Sequence, residues 1–435
     1  MVARVDVATV ELWGETVGAV AWDDARQYAV FEFEPDFVRH GWDVSPLHMP
    51  IQSVAQGNGL FSFPALDRAS FHGLPGLLAD VLPDKFGNRI IDAWLARQGR
   101  DLASFSPIER LCYTGKRGMG ALEFKPSSTR QLDRAMAVEI AELVAVAQAV
   151  MQERDGLAVQ VGDDEQDNAD AMRDILRVGT SAGGARPKAV IAMNAEGKVV
   201  SGQSDVPPGY DYWLLKFDGV TDLELGKPQS FGRIEYAYYL MAQDAGIDMT
   251  ECRLLEENGR AHFMTRRFDR LKGQKIHMQS LCGMAHFDFN QAGAYSYEQA
   301  FQVMRQLRLS KRDAIEQFRR MVLSVLARNQ DDHTKNITFL MGPDGEWRLS
   351  PAYDVTYAHN PGGLWTHQHQ MSINGKRDGF SMDDLLAVAD NINLPRPMEV
   401  IESIQAVVAD WPKYAHEAGL ESSIVEDVGK HHRKL

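Results

Sequence analysis

The chain opens on short alternating segments. Thr9-Val-Glu-Leu-Trp13, Thr16-Val-Gly-Ala-Val-Ala-Trp22 and Tyr28-Ala-Val-Phe-Glu-Phe33 are β-branched and aromatic, with turn residues between them, and they predict three strands. The period then lengthens. Across residues 76–98, Leu77, Leu78, Val81 and Leu82 precede Pro83, and Ile90, Ile91, Trp94 and Leu95 follow it, so two helical pieces are expected around a proline break. A further helix is expected from about Arg134 to Met151, followed by the acidic stretch Gly162–Asp170. That stretch reads equally as a linker or as a solvated loop within one domain.

From residue 178 the order becomes glycine-rich loop, strand, turn, strand, helix, hairpin. Beyond residue 295 helices dominate, broken only by one short hairpin between Ile337 and Leu349. Strands first and helices later predict a two-lobed α+β fold, with room for a nucleotide between the lobes. The expected division is an N-terminal strand-rich subdomain over 1–130, a part holding the phosphate loop over 131–268, and a helical lobe over 269–435. No fixed-period repeat is present.

Composition narrows the function classes. The 435 residues are 44% hydrophobic and 24% charged, as in ordinary folded proteins, which excludes disorder and collagen-like architecture. The net charge of −14 argues against bulk affinity for nucleic acid or acidic membranes, while leaving DNA contact through a partner open. Cys112, Cys252 and Cys282 are odd in number and lack metal-ligand spacing, so they read as reduced thiols of a cytoplasmic protein. Neither a signal-peptide core nor a run of 18 apolar residues is found, so no membrane span is expected.

The densest chemistry is Arg328-Asn-Gln-Asp331-Asp-His333-Thr-Lys335-Asn336. It follows a helix in which Ile315, Phe318, Val322, Val325 and Leu326 share one face, and it precedes the apolar strand Ile337–Leu340. Packing so many polar groups between apolar elements is costly unless they bind one another, a metal or a ligand. Asp331 and Asn336 have the D-x-x-x-x-N spacing of protein-kinase catalytic loops, where the Asp takes the substrate hydroxyl proton and the Asn holds Mg²⁺. Past a hairpin turning at Asp344-Gly345 comes Pro351-Ala-Tyr-Asp354, where a kinase places its second metal-binding Asp. A capped helix end and an ordinary hairpin are the plain reading of each piece alone; the pair in this order favours phosphoryl transfer.

The upstream half adds Val178-Gly-Thr180-Ser181-Ala-Gly183-Gly184-Ala185-Arg-Pro-Lys188, whose glycines let backbone N–H groups face a phosphate. It is no Walker A loop, since Ala185 stands where the lysine is needed. In Tyr210-Asp-Tyr-Trp-Leu-Leu-Lys216-Phe the alternation puts Tyr212, Leu214 and Lys216 on one face, and the following helix offers Glu235. A strand lysine paired with a helix glutamate orients phosphates in kinases; a structural salt bridge or a snorkelling lysine is the bland alternative.

Together these motifs resemble the HipA family, the toxins of bacterial type II toxin–antitoxin modules. The resemblance also rests on Gly183-Gly-Ala-Arg-Pro-Lys188, Arg267-Phe-Asp-Arg270, Leu74–Asp84, Gly118-Met-Gly-Ala-Leu-Glu123 and Met371–Lys376. It implies a two-lobed protein-kinase-like fold and an ATP- and Mg²⁺-dependent serine/threonine kinase whose activity promotes dormancy. In the best-studied relatives the substrate is an aminoacyl-tRNA synthetase. The implied partner is a HipB-like helix-turn-helix antitoxin that binds operator DNA and silences the kinase. By the same resemblance Asp331 is the catalytic base, Asn336 and Asp354 are the Mg²⁺ ligands, and Lys216 anchors phosphate. His333 and Lys335 then lie near the transferred group, Gly183, Gly184, Ala185, Lys188 and Glu235 belong to the ATP site, and Phe268 sits near the adenine. Ser181, or its neighbour Thr180, occupies the family's self-inactivating autophosphorylation position. A phosphate there would repel ATP, whereas a turn serine bonding its own backbone is the plain alternative.

Two departures stand out. Arg266 lies near the adenine hinge where a relative is acidic, and Asp332 beside Asp331 either raises its neighbour's pKa or faces water. His359, His367 and His369 are expected as exposed loop residues, outside the site. Two other functions remain in view: a metal-dependent phosphohydrolase built on Asp331, Asp332, His333 and Asp354, and a non-catalytic ATP-binding co-repressor.

Overall fold

The structure is a computed structural model that describes residues 4–83, 85–97, 99, 104–128, 136–152, 186–203, 205–220 and 230–435. By packing, the chain divides into two compact units. The first takes Met1–Val44, Met49–Gly232 and Arg253–Met278, and the second Ser45–His48, Arg233–Cys252 and Gln279–Leu435. The sequence expectation of three consecutive parts stands beside this division; most of its first two parts fall in the first unit.

In the first unit the alternating segments form strands β1 (Val7–Leu12), β2 (Glu15–Asp23) and β3 (Tyr28–Phe33). With β4 (Leu60–Phe61) and β5 (Leu122–Lys125) they make a sheet of order β4-β3-β2-β1-β5. Ala8, Val10 and Leu12 are fully buried while their neighbours are not, as period-two alternation demands. Gly18 lets β2 lie close on β3: a Cβ there would sit 2.1 Å from the Glu32 carbonyl oxygen.

The second sheet contains β6 (Lys188–Asn194), β7 (Val199–Ser201), β8 (Tyr210–Lys216), β9 (Cys252–Glu257) and β10 (Arg260–Arg266), in the order β7-β6-β8-β10-β9. One face, through Ala189, Ile191, Trp213, Leu215 and Met264, joins a core with Ile90 and Ile91 of the helix Lys85–Arg97 and with Leu143 and Ala147 of the helix Ile140–Gln152. The break at Pro83 is present, between short helix Gly76–Ala79 and Lys85–Arg97. The helix expected from Arg134 starts later, at Ile140, because Met136 and Ala137 are extended and bonded to β7: Ser201 N donates to the Met136 carbonyl at 2.8 Å. The Gly162–Asp170 stretch lies outside the described residues.

Asp269, with no exposed surface, is held within this unit by a bidentate Arg267 (2.9 and 2.7 Å), by Arg270 (2.8 Å) and by the Gly120 N–H (2.7 Å). Arg270 also donates to the Gly120 and Gly118 carbonyls. Two motifs read apart in the sequence, Gly118–Glu123 and Arg267–Arg270, thus form one buried ionic knot. The two guanidinium groups hold the Asp269 carboxyl far below its ordinary range despite burial.

The second unit is helical, as expected. The helix Lys311–Leu326 begins on a capping box in which Ser310 and Asp313 satisfy each other's backbone N–H groups. Its face Phe318, Val322, Val325 and Leu326 is buried and packs toward the helix Pro397–Ala409, whose Ile401 and Ile404 are fully buried. Thr338–Met341 and Trp347–Leu349 form the expected antiparallel hairpin. One expectation fails: the hairpin is not the sole break among the helices. Residues 351–381 carry no helix. They are held by single bridges to distant segments, Met249 to Ala352, Asn329 to Ala358 and Ser296 to Ser372, contacts that no local period encodes.

All three cysteines are buried and free. Among the described residues no helix is long and apolar enough to cross a membrane.

Candidate functional site

The helix Lys311–Leu326 delivers its polar loop through a turn at Arg328, which adopts a left-handed φ of 58°. Asn329 N–H closes back on the Ser324 carbonyl at 3.0 Å, and Arg328 Nε holds the His431 carbonyl at 2.9 Å. A glycine would suit that backbone better; here the guanidinium bond supports it.

The loop then folds on itself. His333 N–H bonds the Asp331 carbonyl and Asn336 N–H bonds the His333 carbonyl, both at 2.9 Å. Asn336 Nδ2 also donates to the Asp331 carbonyl at 2.7 Å. With its amide nitrogen so occupied, Asn336 has its oxygen left for a ligand. The Tyr353 hydroxyl, shared between Thr338 Oγ1 and the Lys335 carbonyl, ties the next segment to this turn. Asp354 follows, with φ of 53°. Strained non-glycine backbone at such a place is a mark of function.

Asp331 is the electrostatic centre. Its side chain keeps 43% exposure, yet loss of water raises its pKa. His333 and a 2.6 Å hydrogen bond from Trp365 Nε1 act to lower it, and the carboxylates of Asp354 and Asp332 push it up. The Asp354 carboxylate is thus close enough for its charge to act on Asp331. His333 Nε2 lies 3.9 Å from Asp331 Oδ1. Lys335 Nζ stands 4.4 Å over the Phe289 ring, and His333 packs edge-on to the same ring at 5.6 Å.

A small cavity of about 40 Å³ is lined by Asn329, Asp332, His333, Asn336 and Asp354 among others. That volume admits waters or an ion rather than a nucleotide. Asn329 Oδ1 is buried there without a hydrogen-bond partner. The donors on offer are oxygens (Asn336 Oδ1, Asp354 and Asn329 Oδ1), the set a hard cation such as Mg²⁺ takes. Among the described residues no cluster of three His, Cys, Asp or Glu suits a metal, so the softer metals find no such group.

In the first unit, the register of the second sheet sets Lys188 directly opposite Lys216, and Phe263 opposite Lys216 on the other side. Partners across a sheet point to the same face, so both ammonium groups lie on the face away from the core cluster. Lys216 Nζ is 5.7 Å from the Phe263 ring centre. Adjacent cations on one face suit a polyanion. Phe268 is half-buried beside the ionic knot, and Arg266 is exposed and paired with Asp211. Glu235 is buried in the helix Phe231–Asp244, on its second-unit part. Thr180, Ser181, Gly183, Gly184 and Ala185 lie outside the described residues.

The histidine expectation is corrected. His369 has no exposed surface and binds Asp332 at 2.8 Å, His359 is half-buried against Gln330, and His367 is half-buried. They turn inward because residues 351–381 wrap the polar loop. Asp332 does not face water either: Tyr297 Oη, His369 Nδ1 and Gln370 N surround its carboxylate at 2.8–2.9 Å. Trp365 and Tyr297 were not singled out by sequence, and each acts through a partner more than 30 residues away; Tyr353 was read only as part of the motif that ends at Asp354. An isolated tryptophan after Gly362-Gly363 is the only local hint.

Residues 180–411 match the HipA-like C-terminal domain and residues 8–125 the HipA N-terminal domain. Among solved structures, the chain is similar to the Shewanella oneidensis MR-1 toxin–antitoxin complex of HipA, HipB and operator DNA. That match has 16% identity over 97% of this chain and 95% of the other, with a TM-score of 0.63. A Helicobacter pylori proinflammatory kinase, CtkA, aligns at 12% identity over 51% of this chain and 88% of its own, with a TM-score of 0.32. No curated protein matches. The Shewanella likeness establishes the α+β fold expected from the sequence.

Proposed function

The chain belongs to the HipA family, and from that premise we propose that it is an ATP- and Mg²⁺-dependent serine/threonine protein kinase. The observation that carries this reading is the closed turn of Asp331 and Asn336 with Asp354 near enough for its charge to act on Asp331. Asp331 takes the proton of the acceptor hydroxyl, with Trp365 holding its Oδ1 and so orienting the carboxylate. Asn336 and Asp354 would hold Mg²⁺, which when bound neutralises phosphate charge. Lys188 and Lys216 neutralise the nucleotide phosphates, and Lys335, held over Phe289, stands by the transferred group. Ser181 is the proposed site of self-inactivating phosphorylation.

The Shewanella relative is a toxin seen with HipB and operator DNA. By that likeness we assign this chain a toxin role, a HipB-like antitoxin partner and DNA contact through it. An aminoacyl-tRNA synthetase is the proposed substrate class. The phosphohydrolase alternative is weakened because three donors already occupy the Asp332 carboxylate.

The test is incorporation of labelled phosphate from Mg-ATP into protein. Asp331→Ala should reduce it by about 10²–10⁴-fold. Free phosphate with no modified protein would favour the hydrolase. Growth arrest that persists in Asp331→Ala would favour the co-repressor.

A further inference from the structure

Asp332 is buried beside the proposed base, Asp331. What fixes it extends well beyond the loop. Its Oδ2 receives Tyr297 Oη at 2.9 Å and His369 Nδ1 at 2.8 Å, and its Oδ1 receives Gln370 N–H at 2.8 Å. The His369 side chain has no exposed surface. Its other nitrogen, Nε2, lies 3.0 Å from Arg433 Nη1. Arginine donates and never accepts, so Nε2 is the acceptor and the ring proton sits on Nδ1, directed at Asp332.

Arg433 is itself held. Its backbone N–H bonds the Leu326 carbonyl at 2.8 Å, and its Nη1 bonds the Val325 carbonyl at 2.5 Å. Nη2 pairs with Asp378, and the guanidinium lies 5.2 Å over the Phe380 ring. Its side chain is 8% exposed. Beside it His431 and His432 meet Tyr357 and Tyr238 at 2.9 and 3.0 Å. The segment His431–Arg433 thus seals the end of the helix that delivers Asp331.

We propose that Arg433 is a positioning residue for phosphoryl transfer: by holding Nε2 it fixes the His369 ring at its second nitrogen, which locks Asp332, and with it the catalytic turn from Asp331 to Asn336. This rests on the kinase reading above and deepens it. Loss of Arg433 removes the donor that holds Nε2, leaving the ring fixed at its Asp332 end alone, so it can swing about that bond and carry the Asp332 carboxylate with it. The turn then loosens while the lysines that bind nucleotide phosphates, in the other unit, are untouched.

Phosphotransfer from Mg-ATP is to be measured in the full chain for Arg433→Met, Arg433→Lys, His369→Asn and the double variant Arg433→Met/His369→Asn. A displacement on the order of 1 Å at a catalytic group can cost about 10²-fold. Arg433→Met should therefore lower kcat by about 10- to 100-fold with KM for ATP within about twofold, and Arg433→Lys should recover part of it. Asparagine presents its amide N–H to Asp332 and has no second ring nitrogen for Arg433 to hold. In the His369→Asn background, Arg433→Met should cost less than about threefold. The proposal is overturned by wild-type kcat in Arg433→Met, by a loss equal to the loss of folded protein, or by an undiminished Arg433→Met effect in the His369→Asn background. If the wild-type chain transfers no phosphate, the kinase reading falls by itself. Hydrogen exchange then decides this proposal: His333 and Asn336 amides should exchange about tenfold faster in Arg433→Met, and unchanged rates would sink it.

Discussion

Asp331 carries a carboxylate that the fold makes uncomfortable. Its pKa is raised by lost hydration and by Asp354 and Asp332, with His333 and Trp365 only partly opposing them. A raised carboxylate pKa means the folded state favours the protonated form, so the charge subtracts stability at neutral pH and the subtraction fades as pH falls through that pKa. Asp331→Asn keeps an acceptor for Trp365 and removes the charge. Calorimetry at pH 7 should show a Tm equal to or above wild type although phosphotransfer is lost, and the gap should narrow on acidification. A lower Tm would mean that the carboxylate is a structural anchor instead. At this scale the spacing of Asp331 and Asn336 was readable because one turn closes both. The Tyr353 hydroxyl was not readable, because it binds the carbonyl of Lys335, and no side-chain type announces a partner that is backbone.

The elements that position the site were legible where their own period decides them. Strands β1–β3, the alternation ending at Lys216 and the apolar face of the helix Lys311–Leu326 all follow from spacing. Its start follows from Ser310 with Asp313 three residues on. Ser310→Ala should cost about 1 kcal/mol in denaturant unfolding and leave phosphotransfer per folded molecule unchanged, since the cap lies at the end of the helix away from the loop. Legibility stopped where order is borrowed from afar. Met136 and Ala137 read as helix but are held extended by Ser201 and Val200, and residues 351–381 have no period because three of their four bridges reach other segments. His369 was misread for the same reason: its neighbours in sequence are polar, but its neighbours in space are Asp332 and Phe380.

Across the molecule, buried histidines set the acid limit. His277 and His432 are pushed down to about 4 and His286 to about 3, by burial first in every case, with the stacked His48 ring adding to His286. Each is neutral when folded and gains a proton on unfolding near its ordinary value. The stability they contribute is complete above about pH 6.5 and lost as pH falls toward 4, at up to about 1.4 kcal/mol per pH unit for each proton. Chemical unfolding between pH 7 and 4.5 should show the midpoint dropping steeply, and His277→Gln should flatten that slope; a flat wild-type profile would contradict the burial of these rings. The ionic knot of Arg267, Asp269 and Arg270 with Gly118 and Gly120 bears on how this chain is built. It joins the stretch that matches one family domain to the stretch that matches the other. Without residues 8–125, Asp269 would keep its two arginines but lose the Gly120 N–H, and Arg270 the two carbonyls that receive it.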